Sequence, residues 1–364
     1  MPDLVVAGAG MAGLVAAAEA RSLGAGVLLL EKGDRAGGSM LLSSGVVWRH
    51  RSFEAFRDEC PDGDPELQRI VHERLDGDLE WLESLGAPVV ERGTGNPLTT
   101  GVRLDTAATT DVLLRAAGGA RLGSPLREPP GGGVPLVLAT GGFQASRDLV
   151  REHVTPEADS LLVRAAPWSS GDGLRIGLAA GASTGPGMDQ AYVRNMPAPP
   201  ARVGERDFVR LSQLYARHAE VTNERGERFE SRTWSEVDVA QWTARQPGAR
   251  AWYRVGGDAL GERVGGRTVG EMVEAAAAAG ASVRREGGSA VVEVVAGITT
   301  TLGGLRIDAS CRAAPGVWAA GADAGGIATG GYSSGLAAAL VLGRAAARSA
   351  LGAASAAAPD EARA

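Results

Sequence analysis

The chain has 364 residues, of which 44% are hydrophobic and 22% charged, and carries a net charge of −6. That is enough to bury a full α/β core, in two or three domains by length alone, and the acidic balance argues against a general nucleic-acid binder, which needs a clustered basic face. Two cysteines (Cys60, Cys311) and four histidines (His50, His72, His153, His218) form no disulfide framework, CxxC pair or metal-ligand spacing. A reducing compartment and no metal site are expected.

In chain order, Leu4–Ala7 reads as a buried parallel strand, Gly8–Gly13 as a turn, Leu14–Leu23 as a helix and Val27–Leu30 as a second strand. The first strand begins almost at Met1, so no signal peptide is expected. The longest apolar stretch, Leu336 to Leu342, is far below the roughly 20 residues of a membrane span, so a cytoplasmic location is expected. Residues 50–123 read as largely helical, with amphipathic stretches at Glu66–Leu85 and Thr106–Ala117. Residues 129–133, Pro-Pro-Gly-Gly-Gly, read as a turn, and Pro135–Ala139 as another apolar strand running into Thr140-Gly141-Gly142. From about Tyr192 to Val295 Arg and Glu alternate, with Trp234, Trp242 and Trp252 among them, and a separate module is expected. Val317–Ala320 is a further strand, followed by a Gly-rich loop, the helix Leu336–Leu351 and an Ala-rich tail expected to fray.

The run Gly8-Ala9-Gly10-Met11-Ala12-Gly13 is weak alone, but here it follows a strand, opens a helix and precedes a second strand closed by an acid, Glu31. That context specifies a dinucleotide site. Gly8 permits the tight turn, Gly10 lets the backbone approach a pyrophosphate, and Gly13 lets the helix pack close with its N–H groups facing the anion. A carboxylate at Glu31 accepts ribose hydroxyls and repels a 2′-phosphate, which favours FAD or NAD over NADP. The following Lys32-Gly33-Asp34-Arg35-Ala36-Gly37-Gly38-Ser39 resembles the extended fingerprint of FAD-binding proteins, where a glycine pair follows the acid after a short spacer.

The run from Gly37-Gly38-Ser39 through Ser43-Ser44-Gly45 to Trp48 resembles the matching segment of 3-ketosteroid dehydrogenases, within the succinate dehydrogenase/fumarate reductase flavoprotein family. Further similarities follow in order: Val137 to Phe143 around Ala139-Thr140-Gly141, Gly171-Asp172-Gly173, Asn223 with Gly226, Arg228 and Phe229, Thr301 to Asp308, Ala319-Ala320-Gly321-Ala322-Asp323, and Gly343-Arg344. The resemblance implies an α/β fold: a discontinuous Rossmann-type FAD-binding domain (1–190 and 298–364) with an inserted α+β capping domain (191–297) over the flavin. It implies a cofactor set of Gly8, Gly10, Met11, Ala12, Gly13, Glu31, Lys32, Gly37, Gly38, Ser39, Ser44, Gly45, Ala139, Thr140, Gly141, Asp172, Gly321, Asp323, Ser334, Gly335 and Leu336. The segment from Leu126 to Val134 leaves little room for the family's hairpin before the internal strand.

The chain also departs from its relatives. Thr300 stands where fumarate reductases carry a substrate-holding His, residues 330–335 contain no Arg, and Arg232 replaces an expected Glu. A dicarboxylate clamp needs such fixed donors, so a simple dicarboxylate substrate is not expected. Ser39–Ser44 lacks the His through which succinate dehydrogenases attach FAD, which makes non-covalent FAD the expectation.

The chemistry implied by the resemblance is hydride transfer between a carbon near a carbonyl and flavin N5, paired with proton transfer at the neighbouring carbon. Tyr332 is the first catalytic candidate, near where steroid dehydrogenases carry a Tyr. As a base, its phenol, ordinarily near pKa about 10, needs a positive neighbour or helix end, and Ser333, Ser334 and Gly335 are placed to cap the helix that follows. Arg228, Arg254 and Arg263 are candidate donors to a substrate carbonyl, and Tyr192, Tyr253, Trp234 and Trp252 candidate pocket walls. Three readings stay open: a dehydrogenase or ene-reductase, a redox-neutral isomerase, and a non-catalytic flavin-binding protein. The partners expected are a small-molecule substrate and an unidentified electron donor or acceptor, with no nucleic acid and no membrane.

Overall fold

The computed structural model describes residues 1–230 and 236–352. Arg232, Trp234 and the Ala-rich tail lie outside the described residues. The centre of the larger lobe is a five-stranded sheet built on Leu4–Ala7, a run of four apolar residues buried on both faces. Its parallel neighbours are Val27–Leu30, in register from Leu4 against Val27, and Leu136–Leu138, in register from Val5 against Leu136. Val317–Ala319 extends the parallel set, and Arg312–Ala314 closes that edge antiparallel.

The crossover between the first two strands is the helix Met11–Ser22. It is apolar nearly all round because it lies between the sheet and a second helix, Gly335–Ala350. Small residues set that spacing: a Cβ on Gly343 would stand 2.6 Å from the Ala12 carbonyl oxygen. Pro65–Ser84, with Asp64 as its N-cap, packs on the far side of Gly335–Ala350.

These three helices are tied by ions. The Arg344 guanidinium donates from Nε to Glu19 at 2.9 Å and from Nη1 to Asp78, and lies 4.3 Å from the Trp81 ring centroid. Arg348 donates to the other oxygen of Glu19. Glu19 and Asp78 are buried, and burial pushes the Asp78 carboxyl up, with Arg344 opposing it.

Residues 50–123 are less helical than their sequence suggests. Besides Phe53–Glu59, Pro65–Ser84 and Thr106–Ala116, an antiparallel sheet joins Val46–His50, Thr99–Leu104 and Val89–Arg92. Its signal is broken by Gly101 (φ 157°), whose missing side chain admits the Val47 carbonyl, and by the exposed charges of Val89–Arg92.

The second lobe is organised by one long strand, Ser289–Thr301. It pairs antiparallel with Ala191–Pro197, Arg250–Val255 and Val283–Glu286, and parallel with Leu162–Val163. Glu220–Thr222 extends the sheet beyond Arg250–Val255. The helix Val269–Ala278 covers one face, its start fixed by reciprocal hydrogen bonds between Thr268 and Glu271. The long strand runs through position 297/298, where the sequence suggests a domain border, and we propose that the two lobes meet along it.

Candidate active site

At the carboxyl ends of the parallel strands, the turn at 8–13 is held by contacts that only glycine allows. A Cβ on Gly8 (φ 103°) would meet the Ala139 oxygen at 2.1 Å, and one on Gly13 the Gly8 oxygen at 1.7 Å. Gly10 is different: a Cβ there meets no atom within 4 Å. Gly10 is also the N-cap of Met11–Ser22 and offers no side-chain cap, so the first-turn N–H groups, including those of Met11 and Ala12, have no side-chain acceptor there. This is the open cradle a pyrophosphate requires.

Glu31, at the end of the second strand, is buried, and its two oxygens accept from the backbone N–H of Ala9 and of Gly33, each at 2.7 Å. It therefore pins the glycine turn to the loop after the second strand. A carboxylate accepts about four hydrogen bonds, which leaves capacity for ribose hydroxyls. Beside it, Lys32 Nζ reaches Ser170 Oγ at 2.7 Å and Asp172 Oδ2 at 2.8 Å. A cleft lined by Gly8, Glu31, Lys32, Thr140, Trp168 and Asp172 opens at this point. Trp168 was not singled out in the sequence; its indole lies where a Gly33 side chain would begin, 2.3 Å from that Cβ position.

Of the other cofactor candidates, Gly37, Gly38, Ala139 and Gly321 lie against this turn and the rest have other neighbours. Gly37 N–H donates to the Ala9 carbonyl, a Cβ on Gly38 would stand 3.2 Å from the Gly10 Cα, and Ser39 Oγ accepts from Ala166 N–H at 3.0 Å. Ser44 is exposed and Gly45 buried, with the Leu104 carbonyl 2.4 Å from where its Cβ would stand. Ala139, Thr140 and Gly141 follow Leu136–Leu138, and Asp323 ties them to the neighbouring strand end: its carboxylate accepts from the N–H of Thr140, from Thr140 Oγ1 at 3.1 Å and from Gly142 N–H at 3.1 Å. Asp323 is 1% exposed, and burial raises its pKa against the pull of those donors. Gly321 packs toward Ala12, and Ser334 Oγ caps Gly335–Ala350 by accepting from Ala337 N–H at 3.3 Å. The helix begins at Gly335, one residue before the sequence expectation, with Leu336 half-buried behind it.

Tyr332, on the loop before that helix, lies among aromatic rings and cations. Its ring stacks on Tyr192 at 4.3 Å and 13°, and Trp48 lies 5.6 Å away on a tilted plane. The Arg194 guanidinium is 4.7 Å from the Tyr192 centroid and 5.7 Å from that of Tyr332. Burial pushes the Tyr332 phenol well above its ordinary value; Tyr192 adds to this, while Arg194 and Arg164 oppose it. The phenol is therefore protonated at neutral pH, suited to donating a proton or hydrogen bond rather than to acting as a phenolate base.

The structure does not bring Arg228, Arg254 or Arg263 to Tyr332. Within Arg250–Val255 the buried residues are Ala251, Tyr253 and Val255, so Trp252 and Arg254 face the other side of the sheet. Arg254 pairs with Glu286 at 3.7 Å, Arg228 with Glu220 at 3.3 Å, and Arg263 donates to the Gly266 carbonyl; all three are exposed. Tyr253 is buried within the second lobe, its hydroxyl accepting from Asn195 Nδ2 at 2.8 Å. Thr300 is half-buried and lies opposite Tyr192 in the strand register.

Three residues near Tyr332 and its neighbours were not read from the sequence: Arg164, Arg194 and Glu236. The first two interrupt apolar runs, Leu161-Leu162-Val163 and Ala191-Tyr192-Val193, and a lone cation inside such a run is the signal that marks them. Glu236 Oε1 accepts from Ala216 N–H at 3.0 Å, and burial pushes this carboxyl up to about 7. A carboxyl whose folded pKa is raised stabilises the fold below its unfolded value and loses that contribution as pH rises through the folded value. Stability to urea should therefore fall between pH 5 and 8 by on the order of 3 kcal/mol from this group. Comparing Glu236→Gln with wild type across that range checks it: the variant should lose this part of the slope.

No described helix is long and apolar enough to cross a membrane. Among the described residues, no group of three or more His, Cys, Asp or Glu is placed to hold a metal ion. The family model for an FAD-binding domain matches residues 3–121 and 134–337. A urocanate reductase from Eggerthella lenta is 27% identical over 278 residues, covering 62% of this chain and 45% of that protein. The chain spans about half the length of the curated relatives it matches. Among solved structures, the open conformation of a flavocytochrome c3 fumarate reductase superposes with a TM-score of 0.72 at 21% identity, over 96% of this chain and 78% of that one. A 3-ketosteroid Δ1-dehydrogenase from Sterolibacterium denitrificans gives 0.73 at 16% identity, over 96% and 99%. With the open cradle at Gly10, the acid at Glu31 and a family match over most of its length, the chain belongs to the FAD-binding domain family and has FAD as its cofactor.

Proposed function

We propose that this protein is an FAD-dependent oxidoreductase acting on a carbon–carbon bond next to an activating carbonyl, with Tyr332 as its proton-handling side chain. Bound FAD supplies the hydride chemistry. The turn at 8–13, with Glu31, holds the adenosine and pyrophosphate end, and Tyr332 stands on the loop leading into the N-terminus of Gly335–Ala350. The observation that carries the reading is the half-buried Tyr332 phenol, stacked on Tyr192 and facing Arg194. A protonated phenol donates to a substrate carbonyl or to the carbon beside the one that takes hydride. That favours the reductive direction. Thr300 and the lack of Arg in residues 330–335 support a substrate other than a simple dicarboxylate.

The test begins with the colour of the purified protein, expected to be yellow, with FAD released into the filtrate on denaturation because attachment is non-covalent. Protein reduced anaerobically with dithionite should be reoxidised by members of a panel of conjugated carbonyl compounds. A colourless protein that takes up no FAD, or a reduced flavin that no member of the panel reoxidises, overturns the proposal. Turnover without net bleaching would instead indicate redox-neutral use. Gly10→Val fills the open cradle and should weaken FAD binding about 30-fold, the equivalent of ~2 kcal/mol at a helix N-terminus. Titration of apoprotein with FAD, followed by flavin fluorescence, measures it.

A further inference from the structure

Two guanidinium groups, that of buried Arg164 and that of half-buried Arg194 at 5.7 Å from the Tyr332 ring centroid, lack a carboxylate counter-ion. Arg164 is 7% exposed, and its hydrogen-bond partners are all neutral: Thr299 Oγ1 at 2.7 Å, the Phe208 carbonyl at 2.8 Å and Ser212 Oγ at 3.3 Å. Its Nε is sealed from solvent with no acceptor, and so is Nη1 of Arg194. No carboxylate among the described residues lies within 4.0 Å of either group. The acid whose charge Arg194 feels, Glu236, stands beyond that distance and is partly protonated near neutral pH.

The two cations are brought together by one glycine. Gly297 lies opposite Arg194 in the strand register, and a Cβ on it would stand 2.5 Å from Arg164 Cδ. The missing side chain lets Arg164 lie across the strand beside Arg194. Two like charges held close, each with a sealed and unpartnered nitrogen, are costly unless an anion joins them.

Resting on the function proposed above, we propose that Arg164 and Arg194 form the anion seat of the substrate site and select a conjugated monocarboxylate. The FAD pyrophosphate has its own cradle at the turn of residues 8–13, whereas this pair meets at Gly297 and reaches toward Tyr332 through Arg194, 5.7 Å from the ring centroid. Unpartnered N–H groups on two separate guanidinium ions suit an acceptor with two oxygens, which a carboxylate supplies. A second carboxylate finds no matching donor, since residues 330–335 contain no Arg and position 300 is Thr.

The experiment titrates FAD-loaded protein with trans-cinnamate and with its neutral amide, reading the visible flavin difference spectrum and, independently, calorimetry. Cinnamate should bind at least about tenfold tighter than cinnamamide. Arg194→Gln should lower cinnamate affinity at least about tenfold, with FAD content and amide affinity unchanged. Arg194→Lys, which keeps the charge but loses the fork, should fall between wild type and Arg194→Gln, and it carries the test if Arg194→Gln does not fold. Equal binding of acid and amide, no binding of cinnamate at all, or an unchanged acid-to-amide ratio in both Arg194 variants overturns the anion seat. A yellow protein that reduces neutral enones but binds acid and amide alike, with and without Arg194, sinks this inference and leaves the oxidoreductase reading standing. Acid selectivity through Arg194, without any flavin turnover, does the reverse.

Discussion

Tyr332→Phe should lower turnover by about 100-fold, the contribution of a well-placed proton donor, while FAD stays bound. The substitution removes one hydroxyl and keeps the ring, so the stack on Tyr192 at 4.3 Å and the contact with Trp48 survive. Flavin binding should also be spared, because the substitution leaves the turn at 8–13, Glu31 and the Ser334 cap of the following helix unchanged. The measurement is anaerobic stopped-flow reoxidation of the reduced flavin by whichever substrate the panel identifies. Because burial holds the phenol above its ordinary value, the wild-type rate should show no loss from Tyr332 ionisation between pH 6 and 9. A variant with a near-normal rate removes Tyr332 from proton transfer and leaves it as a wall of the site.

The second large effect concerns stability. Arg344→Met should destabilise the fold by about 3–5 kcal/mol at pH 8, because removing one partner of a buried ionic group leaves the others uncompensated. Glu19 keeps Arg348, so the uncompensated charge falls mainly on Asp78, which is buried and has one oxygen without a partner. The Asp78 carboxyl is already raised by burial against the pull of Arg344, and its loss raises it further. Protonation relieves the penalty, so the destabilisation should be smaller at pH 5 than at pH 8. Urea unfolding of both proteins at the two pH values measures it, and a loss that is equal at both would assign the effect to packing against Trp81.

The flavin-binding half was legible in the sequence because its physics is local. Gly8, Gly10 and Gly13 sit at fixed spacing between an apolar strand and a helix, and Glu31 closes the next strand, so a few dozen residues specify a cradle without long-range information. The helices Pro65–Ser84 and Thr106–Ala116 were legible from their amphipathic period. The sheet of Val46–His50, Thr99–Leu104 and Val89–Arg92 was not, since Gly101 and a charged edge strand interrupt the alternation that marks strands. The substrate half is built from residues far apart in the chain. Arg164, Arg194 and Tyr332 come from three segments: the sheet register sets Arg164 and Arg194 on either side of Gly297, and the loop before Gly335–Ala350 brings Tyr332 to 5.7 Å from Arg194. The outward placement of Arg254 was available in principle, because Ala251, Tyr253 and Val255 alternate with Arg250, Trp252 and Arg254. The alternation of Arg and Glu around it hid that period.

The strand Ser289–Thr301 belongs to the sheet that carries Tyr192 and Arg194, and its last residues lead directly into the loop that meets Asp323. It is hydrogen-bonded along most of its length, so it behaves as a stiff beam rather than a string. Displacing the outer lobe must flex this beam. A load applied beside Arg194 would then pass along the beam to Leu305, whose N–H donates to the Asp323 carbonyl at 2.8 Å.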